Sequence, residues 1–118
     1  NKYCANLKED GYSDWRLPTI SELRTLIQNC PATESGGECG VTDSCLSLKN
    51  CRNDDCDNGC EVDPTEELGK YSVFEDTDLF WSSSNLSDVL NAKWIVHFFR
   101  GRIRFNNEYS KNSVRCIR

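Results

Sequence analysis

Trp15-Arg16-Leu17-Pro18-Thr19-Ile20-Ser21-Glu22-Leu23 is the stretch that decides the fold. Leu17 precedes a proline and is biased away from the helical region, so residues 15–18 read as a short extended segment. Thr19 and Glu22 then form a capping box, the hydroxyl serving the third helical N–H and the carboxylate reaching back to the cap. Leu23, Leu26 and Ile27 follow at helical spacing, which predicts a three-turn helix over 20–29 with one buried face. Upstream, Tyr3 and Leu7 lie four apart beside Cys4, as at the end of another amphipathic helix that Gly11 stops.

Downstream the pattern changes to strands. Leu79-Phe80-Trp81-Ser82-Ser83-Ser84 is aromatic and then small, as in a buried strand entering a loop. Trp94-Ile95-Val96-His97-Phe98-Phe99 is a second apolar run, and Arg100-Gly101 suits a tight hairpin into the alternating Arg102-Ile103-Arg104-Phe105. Residues 113–118 alternate again and read as a closing strand. Helices first and an antiparallel sheet after define an α+β domain.

The chain has 118 residues, net charge −5, 37% hydrophobic and 28% charged residues, which allows one domain (1–118) with a modest core. No run approaches the roughly 18 apolar residues a membrane span needs. The chain opens at Asn1 and holds no Met, as expected of a processed or excised piece whose signal peptide has gone. Eight cysteines, an even number, predict four disulfides and an extracellular, cell-surface or periplasmic location. The acidic balance argues against a basic nucleic-acid binder. One histidine, His97, with no Ser-His-Asp order or nucleophile elbow, argues against an enzyme.

Charge is segregated along the chain. Residues 30–67 hold ten acids against Lys49 and Arg52, while residues 100–118 hold six bases against Glu108 alone. The two must pair internally or face different partners. Residues 30–60 also hold six of the eight cysteines and few large apolar side chains, so disulfides must organise them. We read 30–67 as a cysteine-rich acidic insertion within the domain, continued by an irregular connection over 61–78.

Several ordered blocks carry a resemblance. Tyr3-Cys4…Leu7, Gly11…Asp14-Trp15-Arg16-Leu17-Pro18-Thr19…Glu22-Leu23, Phe80-Trp81-Ser82-Ser83-Ser84, Ala92…Trp94-Ile95-Val96…Phe98…Gly101 and Val114-Arg115-Cys116-Ile117-Arg118 cover roughly 1–29 and 79–118. Together they resemble a family of exported bacterial domains that includes the C-terminal domain of the Legionella collagen-like adhesin and is close to the Fibrobacter succinogenes major paralogous domain. The resemblance implies a C-type-lectin-like fold and a role in adhesion, including to glycosaminoglycans. Cys4 and Cys116 each sit in a motif of that family, and a bridge between them would close nearly the whole chain, worth roughly 4–5 kcal/mol in the chain-entropy model. Cys30, Cys39, Cys45, Cys51, Cys56 and Cys60 then pair among themselves, in an order the sequence does not choose. Zinc at Cys56-x3-Cys60 is disfavoured in an oxidised, exported chain.

Two surfaces are candidate sites. Asp55, Asp57, Gly59, Glu61 and Asp63 partly fit an alternating oxygen ladder for calcium, with Gly59 free to turn sharply, although the bidentate Glu of an EF-hand is missing. The bland alternative is a solvated loop held by disulfides. Arg100, Arg102 and Arg104 fall at spacing two and should project from one sheet face, with Arg115 and Arg118 adding to them if the last strand is a neighbour. Planar guanidinium forks suit the sulfate and carboxylate groups of anionic polysaccharides. The bland alternative is that these arginines cover the sheet with their stems and pair with the acidic insertion. Trp15, Trp81 and Trp94 should be buried core, and His97 a packed residue.

The expected function is a non-catalytic extracellular module binding glycans or host surface components, needing no cofactor unless calcium is held. The alternative is a structural or protein-interaction domain of a surface assembly, using the stapled insertion.

Overall fold

The computed structural model describes residues 4, 6–8, 11–60, 79–110 and 112–117. Its elements run α1 (Ile20–Arg24), α2 (Leu48–Cys51), α3 (Asp54–Asn58), β1 (Leu79–Asn85), β2 (Ala92–His97) and β3 (Arg102–Asn107). Among the described residues this is the α+β order expected, with three short helices ahead of a three-stranded antiparallel sheet ordered β1-β2-β3.

Helix α1 begins where its cap dictates. Thr19 Oγ1 accepts from Glu22 N at 3.2 Å while Glu22 Oε1 accepts from Thr19 N at 2.9 Å. Arg16 grips the same carboxylate as a fork, both contacts at 2.7 Å, and this hydrogen bonding first of all holds the Glu22 pKa at about 2. The helix is shorter than the predicted 20–29. After Thr25 the N–H groups of Leu26 and Ile27 reach only three residues back, to Leu23 and Arg24, at 3.1 Å each. Asn29 then turns at φ 60°, and Cys30, the next residue, is bridged to Cys60. Near the N-terminus, Leu7 N donates to Cys4 O at 3.1 Å. The rest of the helix expected there lies outside the described residues, as does the 61–78 connection.

Side-chain alternation splits the sheet between two cores. Phe80, Val96 and Ile103 stand opposite one another and, with Trp94 and Phe98, pack against Ile20, Leu23 and Ile27 of the α1 region. Trp94 and Ile103 are fully buried, each such side chain stabilising by roughly 1.5–3 kcal/mol. The other face presents Trp81 and Ile95 to Cys4 and Leu17 in a smaller core. Ile20 N donates to Ser84 Oγ at 2.9 Å and Ser83 N to Pro18 O at 2.8 Å, which locks the start of α1 to the end of β1.

Residues 113–117 do not form the expected strand. Ser113 makes a parallel bridge to Phe80 and Ile117 an antiparallel bridge to Arg16. The segment exchanges bonds with two different partners in turn, so no continuous ladder develops. Val114 and Cys116 meanwhile pack into the smaller core.

All eight cysteines are paired: Cys4–Cys116, Cys30–Cys60, Cys39–Cys56 and Cys45–Cys51. The expected terminal bridge is present, and the other six pair among themselves. Disulfides do not organise the insertion alone. Arg24 leaves α1 on its buried side, 2% exposed, and its guanidinium donates to the carbonyls of Thr33 (2.7 Å), Cys39 (3.0 Å), Val41 (2.6 Å) and Glu34 (2.8 Å). Burial pulls its pKa down from the ordinary value. Two distant carboxylates add further ties. Asp43 accepts from Thr19 Oγ1 and Ser21 N at the start of α1, and Asp88 accepts from Ser47 Oγ, Leu48 N and Lys49 N at the start of α2. The backbone N–H groups of Lys49 and then Leu48 hold Asp88 below the usual carboxylate range.

Candidate functional site

Among the described residues β3 is at the edge of the sheet, and its outward side chains make the surface of interest. Ile103 points into the large core, so Arg102 and Arg104 leave on the opposite face. Arg100 lies in the turn before β3 and not in the strand, with its guanidinium carbon 5.9 Å from the Phe99 ring centroid. The three cations still share one field. The Arg102 pKa is lowered, first by burial and then by repulsion from Arg104 and Arg100, with Asp57 acting the other way.

The cysteine-rich segment fixes this edge. Asn53 caps α3, its Oδ1 accepting from Cys56 N at 3.1 Å, and Cys56 points into the large core to bridge Cys39. Gly59 follows at φ +56°, where a Cβ would lie 2.3 Å from the Arg100 carbonyl, so only glycine allows this approach. Cys60 N donates to that carbonyl at 2.8 Å, and Arg102 Nε donates to Asn58 O at 3.4 Å. On the other side of the turn Gly101, at φ +63°, presents its carbonyl to Thr33 Oγ1 at 2.5 Å. The row thus stands on a backbone held by hydrogen bonds and the Cys30–Cys60 bridge.

Asp57 is the carboxylate that meets the row among the described residues. Its Oδ2 lies 2.7 Å from Arg52 Nη2 and its Oδ1 3.5 Å from Arg104 Nε. The side chains of Arg52, Asp57 and Arg104 keep 38%, 34% and 44% of their exposure, so these pairs are screened and worth about 0.2–1 kcal/mol each. Among the described residues the insertion meets the row through Asp57, at Arg104, and the same carboxylate holds the insertion's own Arg52. Arg52 was not legible as a member, because only the fold brings it beside β3.

Arg115 is not part of the row. It sits 5.4 Å from the Phe80 ring centroid, on β1 at the other side of the sheet, where Phe80 faces the large core. Two strand spacings, roughly 10 Å, separate that edge from β3. Arg118 lies outside the described residues.

The first half of the expected calcium ladder is helical. Asp55 and Asp57 lie two apart in α3, which turns them to different sides, and Asp57 is engaged by Arg52 and Arg104. Gly59 is packed on the Arg100 turn, and Glu61 and Asp63 lie outside the described residues. Among the described residues, no group of three or more His, Cys, Asp or Glu is placed to hold a metal ion. Trp81 and Trp94 are buried as expected, whereas Trp15 is only half-buried. His97 is half-buried, stacked on Phe99 with centroids 6.2 Å apart and opposite Arg102 in the ladder.

These features define a disulfide-stapled α+β module with a basic sheet edge. The chain belongs to the Lcl C-terminal domain family, whose model matches residues 1–118, including the cysteine-rich middle. No curated protein and no solved structure matches it. Family membership associates the chain with bacterial surface adhesins, and its four disulfides agree with an extracellular or surface location. No helix among the described residues is long and apolar enough to cross a membrane.

Proposed function

We propose that this domain is a non-catalytic, C-type-lectin-like binding module that holds anionic glycans along the row of Arg100, Arg102 and Arg104. The observation that carries the reading is the charge imbalance of a fixed edge: one described carboxylate, Asp57, against those three arginines and Arg52. Guanidinium groups donate to sulfate and carboxylate oxygens in bidentate fashion, and they lose less hydration on contact than an ammonium does. A backbone already pinned by Cys60 N and Gly59 spends little ordering free energy on binding. The reading needs neither calcium nor a catalytic group.

The test is binding of the labelled chain to an array of neutral, sulfated and uronic-acid glycans, with calcium and then with chelator. Binding restricted to the anionic glycans in both conditions supports the reading. Hits that vanish on chelation move the site to the acidic segment. A blank array in both conditions favours a protein partner, contacted through the stapled insertion.

A further inference from the structure

Asp57 holds an unusual position if the arginine row binds anions. It fills the place an acidic group would take between Arg52 and Arg104, with its two oxygens directed one to each. Its neighbours on α3 do different work: Cys56 anchors the helix to Cys39, and Asp54 and Asp55 are exposed. The helix is capped by Asn53 and terminated by Gly59, neither of which uses the Asp57 carboxylate. A carboxylate in the first turn of α3 suits the helix dipole and pairs locally with Arg52, but its contact with Arg104 reaches out of the segment to the row.

We propose that Asp57 is a resident competitor at the row: it occupies the anion position shared by Arg52 and Arg104, and leaves Arg100 and Arg102 to take the first acidic group of a glycan. This rests on the anion-binding reading above. A ligand with one sulfate meets only the Arg100–Arg102 end. A ligand with a second sulfate or carboxylate at suitable spacing takes the place of Asp57 and gains Arg52 and Arg104 as well. The exposed pairs it must break are weak, so the exchange is accessible, yet each still opposes binding. The device lowers affinity for small anions while admitting polyanions.

The experiment compares elution salt on immobilised heparin for the full chain and four variants: Asp57→Asn, Asp57→Ser, Asp55→Asn and Arg100→Ala/Arg102→Ala. Asp55→Asn removes the same charge from the same helix without touching the row. The proposal expects Asp57→Asn to bind about two- to five-fold tighter at fixed salt, with Asp55→Asn close to the unchanged chain. Asp57→Ser repeats the test should the amide disturb folding. Asp57 variants that elute with Asp55→Asn, or earlier, overturn the competitor while leaving the row intact. If the unchanged chain is not retained, or the Arg100→Ala/Arg102→Ala variant elutes where it does, the row itself is wrong and the competitor falls with it.

Discussion

Residues 79–107 bury Phe80, Trp94, Val96, Phe98 and Ile103 in and around three paired strands, whereas residues 30–60 bury their cystines, Thr33 and Val41 and few large side chains. The sheet is held by apolar area and backbone ladders, which any sequence of the right pattern supplies. The cysteine-rich segment adds only its cysteines, Val41 and partly buried Leu46 and Leu48 to the large core, and is held besides by three cystines, the Arg24 guanidinium and the carboxylates of Asp43 and Asp88. The two meet where α3 packs against β3, and there the segment ties the turn before the strand through the Arg100 carbonyl and presents its own Arg52 and Asp57 beside the arginines.

That contrast can be broken at either end. The largest effect should come from the sheet: Trp94→Ala leaves a cavity and takes the indole donor from the Leu46 carbonyl, which keeps its bond from Ser87 N, costing about 3–5 kcal/mol in denaturant unfolding. The loss should appear as one cooperative shift, since the large core spans the strands and α1. Replacing Cys39 and Cys56 together by alanine should cost about 3 kcal/mol for a separation of 17 residues, against about 2 kcal/mol for Cys45 and Cys51 at a separation of 6. Parallel thermal scans of the two double variants check that order. Arg24→Met should cost about 2–3 kcal/mol, because four carbonyls lose a charged donor inside the fold. Limited proteolysis should then cut within residues 30–60 before the sheet opens. Cleavage in the strands first would mean that Arg24 supports the sheet and not the segment.

The smallest effect lies where the two regions share α1. Glu22 titrates at about 2 in the folded chain instead of 4.5, so its ionised form favours folding. Its contribution is complete above about pH 4.5 and is lost as pH falls toward 2. Glu22→Gln should therefore lower the melting temperature near neutral pH and flatten the acid side of the stability profile. A profile parallel to that of the unchanged chain would contradict this assignment.

What could be read from the sequence followed from local rules. The Thr19–Glu22 box, the extended Arg16–Pro18 lead-in and the three strands rest on neighbours within a few residues, and all are present. The terminal bridge was implied by family motifs and is present. The shortened α1 had a visible signal. Ile20, Leu23, Arg24 and Ile27 form one stripe, and an arginine on the buried side of a helix demands acceptors that only the following loop could bring. The cystine pairing inside the insertion had none, because six cysteines close in sequence allow fifteen pairings that local rules do not distinguish, and the approach of Arg52 to Arg104 had none because it depends on a contact between segments far apart in the chain. Arg115 was to join the row only if the last segment were a neighbour of β3, whereas the Cys4–Cys116 bridge and the two isolated pairings place residues 113–117 beside β1.

The account depends most on the row itself, and heparin retention against a salt gradient tests it directly. The chain carrying Arg102→Ala and Arg104→Ala, shown to be folded by its thermal transition, should elute at clearly lower salt than the unchanged chain, because screened charge contacts are what the gradient removes. Coincident elution of the two folded proteins would contradict the assignment of anionic glycans to this edge of the sheet.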